Sequence, residues 1–295
     1  MKHTPSTLED LVAPYSREEF LSLLAARRLT LMRGAQRDRF RPLLDWRTLC
    51  GLIARGEHPM SLGEFCLTRD STVVPPEHWL RRDPASGQNR VDLARVQAFL
   101  RQGFSLVIQP IDRHAPALDV LCESIRAGLP ERIKAGVIVT EGQHGAFRLH
   151  YDPEDLIILQ VEGSKRWRVV GPAVANPVAG MRAPDAPEET KILFDDVLAA
   201  GDALFVPAGN WHRCEGGPGR SMHLAIFLTP PTGWHALREV TDAMLGDELF
   251  ARPVTRLSGP ADLAALETEL KTRAIARIQE MEMRDFLKGW ISPRR

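Results

Sequence analysis

His150 and Asp152 stand two residues apart in the stretch 147–170, FRLHYDPEDLIILQVEGSKRWRVV. On an extended chain alternate side chains project to the same face. An extended 148–152 therefore sets an imidazole beside a carboxylate. About sixty residues later a third metal-binding side chain, His212, closes the stretch GDALFVPAGNWH at 201–212. It follows a β-like run at 203–206 and a Pro-Ala-Gly turn that could swing it back over the first pair. Two imidazoles and one carboxylate from separate strands make the facial triad that holds Fe(II) with positions left open, whereas structural metal sites close the shell. An H-x-D pair alone is a weak signal, since many exposed strands carry one. The later Gly-Asp-x-x-x-x-Pro-x-Gly-x-x-His stretch is much more specific.

Lys165 comes fifteen residues after His150. Residues 156–161 form a dense apolar run suited to a buried strand. Glu162-Gly163-Ser164 looks like a hairpin turn, and 165–170 alternates as a second strand. Taken alone, Lys165 belongs with Arg166 and Arg168 to a solvated basic strand. On a strand antiparallel to the His150/Asp152 segment it could instead point into a barrel and meet an anionic cosubstrate. A buried ammonium is costly without such a carboxylate.

HYD, LQVEGSKRW, GDALFVPAGNWH and SMHLAIFLTPPTGW together resemble the Jumonji-C-like cupins, specifically the ribosomal-oxygenase branch of the Fe(II)/2-oxoglutarate-dependent dioxygenases. The resemblance runs over residues 29–234. It implies a mainly β fold with α elements: a double-stranded β-helix (cupin or jelly-roll) core, N-terminal helices and strands, and a C-terminal helical region. Residues 1–234 would be the catalytic domain and 235–295 a helical, dimerising region. It implies that His150, Asp152 and His212 bind iron as the catalytic centre and that Lys165 binds the distal carboxylate of 2-oxoglutarate. The cofactors would be Fe(II), 2-oxoglutarate and O2, the oxoacid chelating two open positions and leaving one for O2.

The implied activity is hydroxylation of an amino-acid side chain in a protein or peptide. Hydroxylation of a free amino acid or other small metabolite, and a non-catalytic metal-binding cupin, are the alternatives; lysine demethylases share the same ligand types. Relatives carry an Asn and a Tyr on the strand before the metal motif where this chain has Gly136 and Ile138. They also carry a helical dimerisation region followed by a winged helix. Here only about 50 residues remain after the core, so a homodimer through the C-terminal helices is expected and a winged helix is not.

Bulk composition fits this reading without dictating it. The 295 residues are 44% hydrophobic and 26% charged, as in an ordinary globular protein. With 38 basic against 38 acidic residues there is no electrostatic case for nucleic acid or an anionic membrane. No apolar run reaches the roughly 20 residues that span a bilayer. The first residues lack an apolar signal core, and Cys50, Cys66, Cys122 and Cys214 form no C-x-x-C pair. Free thiols in a reducing cytoplasm are expected.

The remaining elements must position the site. Ser16 to Glu19 is a capping box that starts a helix ending near 28. A short strand at 29–32, a helix at 45–54 with Asp45 as cap, a helix at 92–101 and a strand at 104–110 follow. A helix at 117–127 and a strand at 135–140 precede the core. Residues 61–89 are read as loop-rich, and 171–187 as an irregular Pro/Ala/Gly-rich rim. Strands are expected at 191–197, 203–206 and 221–228, and a tight loop at 216–219. Beyond the core come a helix at 236–245, an irregular connector at 250–257 and one unbroken helix at 260–287. His223 reads first as a hydrogen-bonded core histidine, with a place beside the site as the alternative. His144 reads as a loop residue, Trp167 and Trp211 as packing, and Tyr151 as facing away from the triad.

Overall fold

The structure, a computed structural model, describes residues 3–56, 64–84, 86–182, 184–188, 191–254 and 259–291. Two compact units are present: Met1–Leu129 with Ile133–Thr229, and Pro130–Arg132 with Pro230–Arg295.

The first unit opens with α1 (Leu8–Val12) and α2 (Arg17–Ala25), each begun by a capping box, Thr7 with Asp10 and Ser16 with Glu19. β1 (Thr30–Met32) and α3 (Trp46–Arg55) follow, and Asp45 caps α3 by accepting from the Thr48 amide. Next come β2 (Phe65–Arg69), β3 (Thr72–Val73), β4 (Leu80–Arg82), β5 (Asn89–Val91), α4 (Leu93–Arg101), β6 (Ser105–Ile108) and α5 (Pro116–Gly128). The core strands are β7 (Arg132–Glu141), β8 (Asp155–Glu162), β9 (Ser164–Val170), β10 (Ile192–Ala199), β11 (Ala203–Val206), β12 (Trp211–Gly216) and β13 (Arg220–Thr229).

These strands build the two sheets of a double-stranded β-helix. The major sheet has the order β1-β11-β8-β13-β7-β6-β2-β3 and the minor sheet β10-β9-β12. Along β8, Ile157, Leu159 and Val161 join one apolar cluster with the N-terminal helices, whereas Leu156 and Ile158 join a second with Trp167 and Leu198 of the minor sheet. Both faces of β8 are therefore buried, which is why its sequence reads as an unbroken apolar run instead of an alternating one. Each such side chain contributes about 1.5–3 kcal/mol relative to an exposed one.

Four expectations are corrected. Glu162-Gly163-Ser164 is not a hairpin turn: β8 pairs with β11 and β13, and β9 with β10 and β12. The tripeptide carries the chain from one sheet to the other. Gly163 makes the crossing possible, with φ +63° and a position where a Cβ would lie 2.3 Å from the Arg220 carbonyl oxygen. Residues 148–152 form no regular strand but a single antiparallel bridge between His150 and His212. The stretch 61–89 is richer in structure than expected, since β2 pairs with β6 and β4 with β5. The helix at 260–287 is broken. The parts of the expected loop, rim and connector at 61–63, 85, 183 and 255–257 lie outside the described residues.

The second unit holds α6 (Gly233–Met244), α7 (Glu248–Ala251), α8 (Pro260–Gln279) and α9 (Met283–Ile291). The break between α8 and α9 falls where Met281 packs with Ala236, Phe286 and Trp290. The Arg132 guanidinium lies 3.5 Å from the Trp290 ring centre. Only Leu266 of the α8 stripe is buried.

Gly163→Ala should cost more than about 3 kcal/mol in chemical denaturation, because a left-handed conformation and a backbone clash coincide there. Gly180, with φ +85° and nothing within 4 Å of an added Cβ, serves as control: its Ala variant should cost only the left-handed penalty of about 1–2 kcal/mol.

Candidate active site and metal centre

The triad is assembled by backbone pairing. The His150 amide donates to the His212 carbonyl at 3.1 Å, and the His212 amide donates to the His150 carbonyl at 2.7 Å. The turn before His212 is pinned from three sides. The Ala208 amide donates to the buried Asp155 carboxylate at 2.7 Å, and the Gly209 amide donates to the Asp152 carbonyl at 2.8 Å. The Asn210 side-chain amide donates to the Pro207 carbonyl at 2.8 Å. Gly209 has φ +79° and lies so close to Val174 that a Cβ would meet its carbonyl oxygen at 2.1 Å. Asp202 of the same motif accepts from the Gly34 amide and Arg33, so it holds β11 to β1 and leaves the chemistry to others.

His150, Asp152 and His212 converge, each offering one ligand atom within 4.8 Å of the others. Asp152 Oδ2 lies 4.0 Å from His150 Nε2 and 3.5 Å from His212 Nε2. The Nδ1 atoms face carbonyl oxygens, that of Arg148 at 2.8 Å and that of Asn210 at 2.9 Å. A carbonyl only accepts, so each Nδ1 carries the proton and each Nε2 presents its lone pair. This is the orientation that a metal-binding histidine needs. Metal bonds of about 2.0–2.2 Å place neighbouring ligand atoms about 3 Å apart, so a slight closing of the three side chains fits an ion.

Burial, then the neighbouring His150, pushes the His212 imidazole down to about 3, opposed by the Asn210 carbonyl. Burial also raises the Asp152 carboxyl above its usual range, against the pull of His150 and Lys134. A neutral imidazole beside a carboxyl that resists ionisation is an arrangement that a bound cation would relieve.

The triad lines a cavity of about 290 Å³. Lys134, Glu154, Phe147 and Phe227 also line it, with Lys134 Nζ 3.3 Å from Glu154 and 4.7 Å from the Phe227 ring centre. Trp167, Cys214 and His223 complete another part of the wall. Lys165 is 1% exposed and lies behind that wall. Its Nζ donates to the Ile138 carbonyl and the Thr140 hydroxyl, both at 3.2 Å. Burial pulls this ammonium down to about 8, opposed by the Cys214 thiol. The solvated basic strand is thus excluded, and the antiparallel neighbours of Lys165 are β10 and β12 in place of the 148–152 segment.

His223 is buried and lines the cavity, yet its Nδ1 has no hydrogen-bond partner among the described residues; the hydrogen-bonded core reading is corrected. Tyr151 faces away and packs edge-on against Trp211, ring centres 5.0 Å apart. Glu154 and Cys214 were missed; alternation along β12 leads from His212 to Cys214, whereas Glu154 follows a bend that the rule does not cover. Lys134 and Gln109 belong to no motif. Gly136 makes room: a Cβ there would lie 3.1 Å from Gln109 and 3.2 Å from the Phe227 ring.

Residues 109–235, somewhat under half of the chain, match the JmjC domain family. Over 138 residues it is 30% identical to the bifunctional lysine-specific demethylase and histidyl-hydroxylase NO66 of Drosophila willistoni, covering 45% of this chain and 18% of that protein. The Drosophila erecta NO66 matches at 22% over 225 residues, covering 75% of this chain and 33% of the relative. The chain thus spans a fifth to a third of these relatives' length. The ribosomal oxygenase YcfD of Escherichia coli, solved with cobalt and 2-oxoglutarate, superposes with TM-score 0.59 at 19% identity, covering 95% of this chain and 72% of that one. That likeness shows the shared fold.

Two outcomes are expected. In calorimetric titration with Mn(II), Asp152→Ala or His212→Ala should lower affinity at least about 100-fold; unchanged binding would place the metal elsewhere. Lys165→Met should stabilise the empty protein at pH 7 by about 1–3 kcal/mol. The folded ammonium titrates near 8 against 10.5 for a free lysine, so the wild type is penalised below pH 8. The difference should fade as pH rises from 8 to 10.5.

Proposed function

We propose that this protein is an Fe(II)- and 2-oxoglutarate-dependent dioxygenase that hydroxylates an amino-acid side chain in a protein or peptide. The observation that carries the proposal is the pair of Nε2 lone pairs turned toward Asp152 at one cavity, with the Lys165 ammonium buried behind its wall. The similar proteins, a histidyl-hydroxylase and a ribosomal oxygenase by name, support a protein substrate.

His150, Asp152 and His212 would hold the iron, and Lys165 would meet the distal carboxylate of the oxoacid. Bound Fe(II) would couple the oxidative decarboxylation of 2-oxoglutarate by O2 to hydroxylation of a substrate C–H, releasing succinate and CO2. The chain's own residues position and exclude. Trp167 stacks on His212 with ring centres 5.8 Å apart, and Phe147 lies 5.3 Å from His150, so both imidazoles are held by aromatic contact as well as by their Nδ1 hydrogen bonds. The apolar surfaces of Ile138, Ile158 and Ala225 keep bulk water from the reacting centre. Lys134 and Glu154 give the cavity a charged boundary that a substrate side chain would meet.

Assembly and location follow as proposals. The C-terminal helices leave Trp234, Ile275, Ile278, Leu287 and Ile291 exposed, and a second copy of the chain would cover them. No helix among the described residues is long and apolar enough to cross a membrane. All four cysteines are free thiols, which suits a reducing cytoplasm.

Purified protein with Fe(II) and ascorbate should convert 2-oxoglutarate to succinate, followed by NMR, and His150→Ala should stop it. No conversion in the wild type, with or without peptides, would refute the proposal. Mass spectrometry of the host proteome against a deletion strain should find a +16 Da shift on a protein; a shift confined to small metabolites would move the substrate class. Light scattering should give a dimer mass that Ile275→Glu with Ile278→Glu reduces to a monomer.

A further inference from the structure

Two buried ring nitrogens in the cavity wall lack any partner among the described residues: Trp167 Nε1 and His223 Nδ1. Both residues are 3% exposed and their ring centres lie 5.3 Å apart, in an edge-on arrangement. Trp167 sits two residues from Lys165 on β9, on the same face. A buried polar group with no partner destabilises the fold, and its presence calls for a ligand, a water or a catalytic role. Here two such groups belong to wall residues next to an ammonium that lies behind the wall and has used two of its three donors.

The cavity's charges are segregated. Its two carboxylates are committed elsewhere, Asp152 to the triad and Glu154 to Lys134. The indole nitrogen can only donate, and the imidazole nitrogen donates in one of its tautomers. Lys165, Trp167 and His223 therefore bring three donors together, none of them paired with a carboxylate among the described residues. Of the groups around Lys165, Ile138, Cys214, Trp167 and His223 are wall residues of the cavity, and Thr140 lies behind them.

We infer that Trp167 Nε1 and His223 Nδ1 join Lys165 as hydrogen-bond donors to a carboxylate-bearing ligand, so that the far end of the oxoacid is held by an indole and an imidazole as well as by an ammonium. The inference deepens the function proposed above by assigning two positioning residues to its cosubstrate. The anion site itself rests on the geometry of the donors and holds whether or not oxygen chemistry takes place.

The test uses the full chain in two arms. In the first, metal-free protein carrying 15N-labelled tryptophan is titrated with glutarate and with its uncharged analogue glutaramide, and the Trp167 indole signal is assigned from Trp167→Phe. Glutarate should move that signal downfield and glutaramide should leave it in place. In the second arm, calorimetry with Mn(II) present compares 2-oxoglutarate with 2-oxopentanoate, which lacks the distal carboxylate.

Trp167→Phe removes the N–H donor while leaving an aromatic ring, smaller than the indole, at this position. It should weaken 2-oxoglutarate about ten-fold more than it weakens 2-oxopentanoate, as expected for one charge-assisted hydrogen bond. His223→Phe should act in the same direction. An indole signal unmoved by saturating glutarate, or equal weakening of both oxoacids, would overturn the inference. A signal that moves with glutarate in a protein that never consumes 2-oxoglutarate would uphold the anion site and refute the proposed reaction.

Discussion

The site depends on one reciprocal pair of backbone hydrogen bonds, His150 to His212 and back. Each histidine comes from a different part of the chain, and neither segment would hold its imidazole in place alone. Residues 148–152 lie outside any regular strand, and the preceding turn has to be fastened by Asp155, Asn210 and the close approach of Gly209 to Val174. Because side chains alternate across an extended backbone, a one-residue slip in this pairing would turn an imidazole out of the cavity. The two Nδ1–carbonyl hydrogen bonds then fix which nitrogen is left for a metal.

Around that bridge the protein tolerates electrostatic costs that a purely structural core would avoid. His212 is held neutral, Asp152 is made reluctant to ionise, and an ammonium is buried with only neutral oxygens as hydrogen-bond partners. Each cost would be relieved by a group of opposite character: a cation among the triad, an anion near Lys165. The large apolar faces of β8 and β13 supply the stability against which these costs are set. The empty protein is thus less stable than its fold could be, as expected where binding is selected over stability.

Much of the site was legible in the sequence because period-2 alternation is a local rule. It points to His150 and Asp152 as a pair, although the segment proves to be a single bridge, and along β12 it leads from His212 to Cys214. The resemblance supplied Lys165 and the position of His212. What local rules could not supply was which sheet each strand joins. Leu156 to Val170 looks like a hairpin because Gly163 can make a turn, but both edges of β8 are taken by strands from later in the chain, β11 and β13. The α8–α9 break was invisible for a related reason: no glycine or proline marks 280–282, and packing around Met281 and Trp290 decides it. The unpartnered nitrogens of Trp167 and His223 can be recognised only once the strands around them are placed.

A crystal structure with Mn(II) and 2-oxoglutarate tests the account most directly. It should show one ion bound by Nε2 of His150, Nε2 of His212 and the Asp152 carboxylate, with the far carboxylate of the oxoacid at Lys165. An ion held through either Nδ1, or an oxoacid bound away from this cavity, would contradict it.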